Sequence, residues 1–452
     1  MSVKITVIGG GSSMFVPGLI RSLIQIPCFA GARLALMDTD GRRAGVMRDL
    51  GTQLAEAGHL EITATTDRRA ALRGADFVIV AISVGGMGAW EADIEVPARY
   101  GVFMHIADSI GPGGIFRSLR NTPVVASVVT DLAELAPGAL VLNYTNPASA
   151  NTMAMALAAG AGGAGGPGGA GGIRTVSLCS CSPLPFDRAW LAAQAGVDED
   201  EVDVPLRVGG INHCTGILSL RLRDGRDAIP LVAQRSPDPL VRWVIETFGV
   251  VPYCWAHWAE FFPQLQRLEE PYAGRAQGLP MRYGRRIYDM DAQRERVQSW
   301  ERVAARWSAE GGAHKLGDLP RGPEDDGIVV ADVMASVIEA RGTAFIVNTI
   351  NNGLITNLPP SVAVEVPAIV DAEGVHPMSI GSLPPGLAAV LSRHALVQEL
   401  TAQAALTGSH RLLRQAMAAD PLLDATLEPA QIEALTRDLL AANAAYLPQF
   451  QI

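Results

Sequence analysis

Apolar residues in the first part of the chain fall into short unbroken runs separated by stretches with helical spacing. In KITVIGGGSSMF the run 5–8 predicts a strand that ends in Gly9, Gly10 and Gly11, and MFVPGLIRSLIQ follows with the spacing of a helix. ARLALMDTD predicts a second strand, ending at Asp38. ADFVIVAISVGG (75–86), GALVLNYTNPAS (138–149) and IRTVSLC predict three more. Apolar strands alternating with helices make a parallel sheet covered on both faces, so the fold class is α/β, a Rossmann-type doubly wound sheet. From about Pro205 strands mix with long helices instead. The expected division is a nucleotide-binding domain over 1–204 and a C-terminal α+β domain over 205–452 for substrate and oligomerisation. The glycine-rich run at 160–172 reads as a flexible surface loop. ALVQELTAQAALTGSHRLLRQAMAADPLL reads as a helix pair for the core or a subunit interface.

Strand, glycine turn and helix together form a pyrophosphate cradle, because glycine lets the backbone approach closely and the helix start offers free N–H groups. Met14 stands where the motif has its third glycine. Asp38 is placed to bind a ribose 2′-hydroxyl and to repel a 2′-phosphate, which favours NAD. It could equally cap the next helix, and Arg42 and Arg43 leave room for NADP. The expected cofactor set is Gly9, Gly10, Gly11, Ser12, Ser13, Met14, Asp38, Arg43, Ser83 and Asn143.

Composition narrows the class. With 452 residues, 48% of them hydrophobic, a large core can form. The formal charge of −10 argues against a nucleic-acid partner. Membrane partners are not expected, because no apolar run reaches the roughly 18 residues of a span. The N-terminus reads as a strand rather than a signal peptide, and five cysteines make no disulfide framework, so a cytoplasmic enzyme is expected.

Polar groups gather where the strands should end. HIADSIGPGGIFRSLRNTP brings Asp108, Arg117 and Arg120 around a rigid Gly-Pro turn, and NYTNP brings Asn143 and Asn146. VGGINHCTG places Asn212, His213 and Cys214 after a glycine turn, a plausible metal environment. VSLCSCSPLPF sets Cys179 and Cys181 one residue apart, which fits a redox pair, a metal site or two buried thiols.

Taken in order, VIGGGSSMFVPGLI, DSIGPGGIFRSLRNTPV, NYTNPAS, GINH, VNTINNGLITNLP, VEVPAIVDAEGVHPMSIGSLPP and NAAYLPQF resemble the family 4 glycoside hydrolases over nearly the whole chain. That resemblance implies a lactate/malate dehydrogenase-like fold and a bound NAD that is not consumed. It also implies a divalent metal, usually Mn²⁺, on Cys179 and His213, and a homodimer or homotetramer. FGVVPYCWAHWAEFFP, with His257, Glu260, Phe261 and Pro263, is similar to the branch acting on α-glucosides, α-galactosides and α-galacturonides. Ser180, Cys181 and Ser182 depart from the family pattern.

The implied reaction oxidises sugar C3, removes the C2 proton, expels the aglycone, adds water and returns the hydride. This is not the two-carboxylate mechanism. Asp108, His257 and Glu260 are the expected catalytic groups, and Asn146, Arg117, Asn212, Arg285 and Lys315 the expected substrate contacts. Arg282, Arg285, Arg286, His314 and Lys315 suggest an anionic C6 group, such as the sulfonate of the related NAD-dependent sulfoquinovosidases; a neutral α-glycoside is the alternative. The rival classes are a hydroxyacid dehydrogenase, which would consume NAD, and a non-catalytic NAD-binding regulator.

Overall fold

The computed structural model describes residues 2–54, 58–160, 173–204, 207–310, 313–319 and 329–450. The glycine-rich run beyond Gly160 and the expected boundary at Pro205 lie outside them. Six strands, β1 (Lys4–Ile8), β2 (Arg33–Met37), β3 (Glu61–Thr65), β4 (Phe77–Val80), β5 (Leu140–Asn143) and β6 (Arg174–Ser177), pair in parallel in the order 3-2-1-4-5-6. They carry α1 (Val16–Gln25), α2 (Gly41–Thr52), α3 (Arg68–Leu72), α4 (Gly86–Ala98), α5 (Gly111–Leu135) and α6 (Ala148–Ala158). The apolar runs are unbroken because each strand is buried on both faces. Ile5, Val7, Phe77, Ile79, Leu140 and Leu142 pack on one face. Ile8, Val78, Val80 and Val141 pack on the other, against Val125, Val128, Val129 and Leu132 of α5. Each such side chain contributes roughly 1.5–3 kcal/mol on burial.

The sheet does not stop at β6. Strand Thr343–Ile350 pairs antiparallel with it, followed by Ala363–Asp371, Val208–Ile211, Cys214–Ile217 and Val251–Pro252. One twelve-stranded sheet thus crosses the expected boundary near 205. Its register sets Ser177, Asn348, Glu365, Gly210 and Thr215 in a row. Cys179 lies two residues beyond one end of that row. At the other end Ile211 pairs with Cys214, so Asn212 and His213 form a two-residue hairpin turn. The register therefore brings the end of β6 and the His213 turn together. Among the described residues no helix is long and apolar enough to cross a membrane.

Candidate active site

At the carboxyl end of β1 the glycines are fixed by packing. Gly9 has φ +96°, and a Cβ there would lie 2.1 Å from the Ala81 carbonyl oxygen; one on Gly10 would lie 2.7 Å from the Leu36 backbone. No side chain caps the start of α1, but Val16 N–H bonds the Ser12 carbonyl and Pro17 has no N–H, so the close approach allowed at the glycine turn carries the fit to a pyrophosphate. Buried Ser13 and half-buried Ser12 and Met14 complete the turn. Asp38 directly follows β2 and accepts from Gly11 N (2.9 Å) and Asp40 N (2.9 Å). The cap of α2 is Asp40, not Asp38. Asp38 therefore braces the glycine turn at the place where a ribose would reach it. Arg43 is exposed beside Asp40, and Ser83 is exposed after β4. The cradle thus fits a dinucleotide. Asn143 does not belong to it. Its fully buried amide bonds Thr145 N, Thr145 O and Ser177 Oγ, so it ties the ends of β5 and β6 together and corrects the cofactor expectation.

Further along the same edge Asn146 donates to Asp108 Oδ2 (2.8 Å) and meets His213 Nε2 at 3.1 Å. With that amide orientation Nε2 accepts, so the His213 proton sits on Nδ1 and points at Cys254 Sγ (3.4 Å) and Cys179 Sγ (3.7 Å). His213 occupies the left-handed region at φ +70°, a strained backbone for a non-glycine residue. The His257 ring stacks on His213 with centroids 3.7 Å apart, its Nδ1 lying 3.3 Å from Glu260 Oε2 and 3.9 Å from Asp108 Oδ1. Glu260 uses its other oxygen to accept from Ile106 N (2.8 Å) and Ala107 N (2.9 Å). It thereby holds the loop that presents Asp108.

Charge divides these groups. Burial opposes the His257 cation, but the Glu260 bond and the Asp108 charge outweigh it and raise its pKa to about 9. Burial, then the His257 charge, pushes His213 down to about 3. Burial likewise opposes ionisation of Asp108, yet His257, His213 and Arg117 hold it at about 2. At neutral pH the site therefore holds an imidazolium, a neutral imidazole and a carboxylate.

Cys254 was not singled out in the sequence, and neither were Tyr253 and Glu365. The sulfurs of Cys179, Cys181 and Cys254 all lie within 4.8 Å of one another. All the cysteines are free, which leaves no disulfide for the redox reading of VSLCSCSPLPF. Hydrogen bonds from Cys179 and Cys254 lower Cys181 to about 3, so it carries the thiolate of the three. Below them Glu365 accepts from Asn212 Nδ2 (3.1 Å) and Tyr253 OH (2.9 Å), joining the residues that precede His213 and Cys254. Burial raises Glu365 to about 7. Polar residues inside strands otherwise apolar were the signal for Glu365.

The cationic set separates. Arg117 is buried over the Trp90 ring (4.7 Å), its charge felt at Asp108, and two of its nitrogens have no hydrogen-bond partner. Arg120 instead forms a buried bidentate pair with Asp93. Arg285 is paired with Asp238 (2.8 Å), while Arg282 and Arg286 are exposed. Lys315 is exposed in the turn after His314, whose N–H bonds Gln53 O past the end of α2. That position is away from the carboxyl edge, so Lys315 is corrected out of the substrate set.

Residues 4–161 match the model of the family 4 glycosyl hydrolases, and residues 208–423 match that of their C-terminal domain. An alpha-galactosidase of Bacillus subtilis is 30% identical over 99% of this chain and 100% of its own. An alpha-galacturonidase of Bacillus subtilis is 27% identical over 97% of each chain. A crystal structure of a 6-phospho-alpha-glucosidase from gut microorganisms, in complex with NAD and Mn²⁺, superposes with a TM-score of 0.80 at 19% identity, covering 100% of both chains. A glycine cradle and a His–Asp–Asn edge on one doubly wound sheet, with both family domains matched in order, place this chain among the family 4 glycoside hydrolases.

Proposed function

We propose that the protein is an NAD-dependent α-glycosidase acting on α-galactosides or α-glucosides with an uncharged C6, the Asp108–Asn146–His213 row being the observation that carries this reading. The glycine turn and Asp38 fit NAD, and Cys179 with His213 fits a divalent ion, Mn²⁺ being the one named for the 6-phospho-alpha-glucosidase. When bound, NAD supplies a hydride acceptor and donor, and the ion a Lewis acid.

The chain's own residues then divide the remaining work. Asn146 orients sugar hydroxyls. Asp108, ionised, is the group able to take a proton. His257, charged, is the group able to give one to the departing oxygen. Glu260 fixes both by its bonds to the loop backbone and to His257. Arg117 sits beside the Asp108 carboxylate and His257 beside two carboxylates. With Arg285 taken up by Asp238, each of these cations has an anionic partner, and this charge balance supports an uncharged C6 over a sulfonate or carboxylate.

The test is a panel of nitrophenyl α-glycosides, neutral and anionic, run with NAD⁺ in D₂O. Release from the galactoside or glucoside, with deuterium at C2 of the product and no net NADH, is the expected result. Stoichiometric NADH would make the protein a dehydrogenase, and product without C2 deuterium would rule out C2 deprotonation. Exclusive release from the sulfoquinovoside or galacturonide would overturn the uncharged C6.

A further inference from the structure

We infer that this site is a sulfur-rich centre for a thiophilic divalent ion of the zinc class, held by Cys179, Cys181, Cys254 and the Nδ1 of His213. The inference concerns the same site as the proposed reaction but does not depend on the reaction. A cysteine and a histidine alone would be a sparse donor set, open to a hard ion that completes its shell with oxygen. Here two further sulfurs crowd the first, all three within 4.8 Å of one another.

The spacing suits tetrahedral coordination. Zinc–sulfur bonds of about 2.3 Å and zinc–nitrogen bonds of about 2.0–2.1 Å require a sulfur-to-nitrogen edge of about 3.6 Å. Two of the three such edges are 3.4 Å (Cys254) and 3.7 Å (Cys179), and Cys181 joins the set through its approach to those two sulfurs. The donors come from three places: the end of β6, the His213 hairpin turn and the segment after Val251–Pro252. Glu365 ties the last two together through Asn212 and Tyr253, so the set is braced from below. Sulfur donors select zinc-class ions over manganese, which favours oxygen. The thiol protons of Cys179 and Cys254 leave to solvent on binding and nothing is oxidised. His213 stays neutral as its proton moves from Nδ1 to Nε2, the edge of the ring that faces Asn146. Zinc expands to five ligands when a further oxygen approaches, so such a centre can still meet a substrate hydroxyl.

Zinc outcompetes manganese at most protein sites, so the preference alone decides nothing. What distinguishes this centre is how many sulfurs touch the ion. The full-length protein, kept reduced and with NAD⁺ present, is loaded with Co²⁺ and its sulfur-to-cobalt charge-transfer absorption recorded. Three-sulfur intensity is expected, falling by about a third in Cys181→Ser and by about a third in Cys254→Ser, with the zinc-over-manganese preference dropping at least about tenfold in each. Intensity unchanged in both variants, or no cobalt bound, would overturn the centre. The cadmium NMR shift of the unsubstituted protein counts sulfurs without any variant, and a one-sulfur shift would overturn it equally. Glycoside release is scored separately. Inactivity with a three-sulfur spectrum defeats the glycosidase reading alone, and activity with a one-sulfur spectrum defeats this inference alone.

Discussion

Two histidine rings in van der Waals contact cannot easily both be charged, and their surroundings decide which one is. His257 faces the carboxylates of Asp108 and Glu260, whereas His213 faces sulfur and an amide. The result is a charged ring stacked on a neutral one, with pKa values of about 9 and about 3. His257 is raised above its unfolded value near 6.5, so its contribution to stability is complete below that pH and is lost as pH rises through about 9. Cys181 is depressed to about 3, so its contribution is present above its unfolded value near 9 and is lost as pH falls through about 3. Between roughly pH 6.5 and 9 the two oppose each other, one proton against one. Metal-free Cys181→Ser should therefore lose stability relative to the unsubstituted protein as pH rises across that window, by up to about 1.4 kcal/mol per pH unit. Urea unfolding at pH 6.5, 7.5 and 8.5 in chelator checks it. A constant difference across the three would mean that Cys181 is not a thiolate in the folded protein.

The β1 turn shows how an element rather than a residue makes a binding surface. Gly10 packs against the backbone of β2, with 2.7 Å left for a Cβ. Gly10→Ala must push β1 from β2 at the point where the cradle forms. We expect a cost of about 1–3 kcal/mol and a fall in NAD⁺ affinity of at least tenfold, read by urea unfolding and by fluorescence titration. Normal affinity would show that the cradle tolerates the shift. This turn was legible in the sequence because all its information is local: an apolar run, three glycines and a helical stretch in order. The same holds for Asn146 and for Cys179, which end apolar runs. Asn143 was misread because a strand-end amide looks the same whether it faces a ligand or its neighbouring strand. Lys315 was misplaced because its position past the end of α2 is set by contacts between distant segments that no local pattern encodes. Cys254 was missed for the opposite reason. It reaches Cys179 only through antiparallel pairings between segments far apart in the chain, and no local pattern encodes that register.

At the scale of the molecule, the edge that carries the site is held by contacts between distant parts of the chain, and one fully buried contact among them is ionic. Arg120 of α5 bonds both oxygens of Asp93 in α4 (2.9 and 2.6 Å), and also Asn443 Oδ1 (2.6 Å) at the end of helix Pro429–Asn443 and the Val84 carbonyl (3.2 Å). The two charged side chains are 1% and 0% exposed. Removing one partner strands the other charge in the interior. Arg120→Met should therefore cost about 3–5 kcal/mol, well beyond the loss of its hydrogen bonds. Removing both charges spares that penalty. Arg120→Met with Asp93→Leu should regain most of the loss and retain only about 1–3 kcal/mol, the cost of leaving Asn443 Oδ1 and the Val84 carbonyl unpaired. Burial already raises the Asp93 pKa against the pull of Arg120, and without Arg120 it rises further. A carboxyl whose folded pKa is raised contributes stability below its unfolded value and loses it as pH rises. The single variant's deficit should accordingly shrink toward pH 5, while the double variant's stays level. Urea unfolding of both at pH 5 and pH 8 reads this directly. A single variant equally impaired at the two pH values would show that the pair acts through packing and not through its charge.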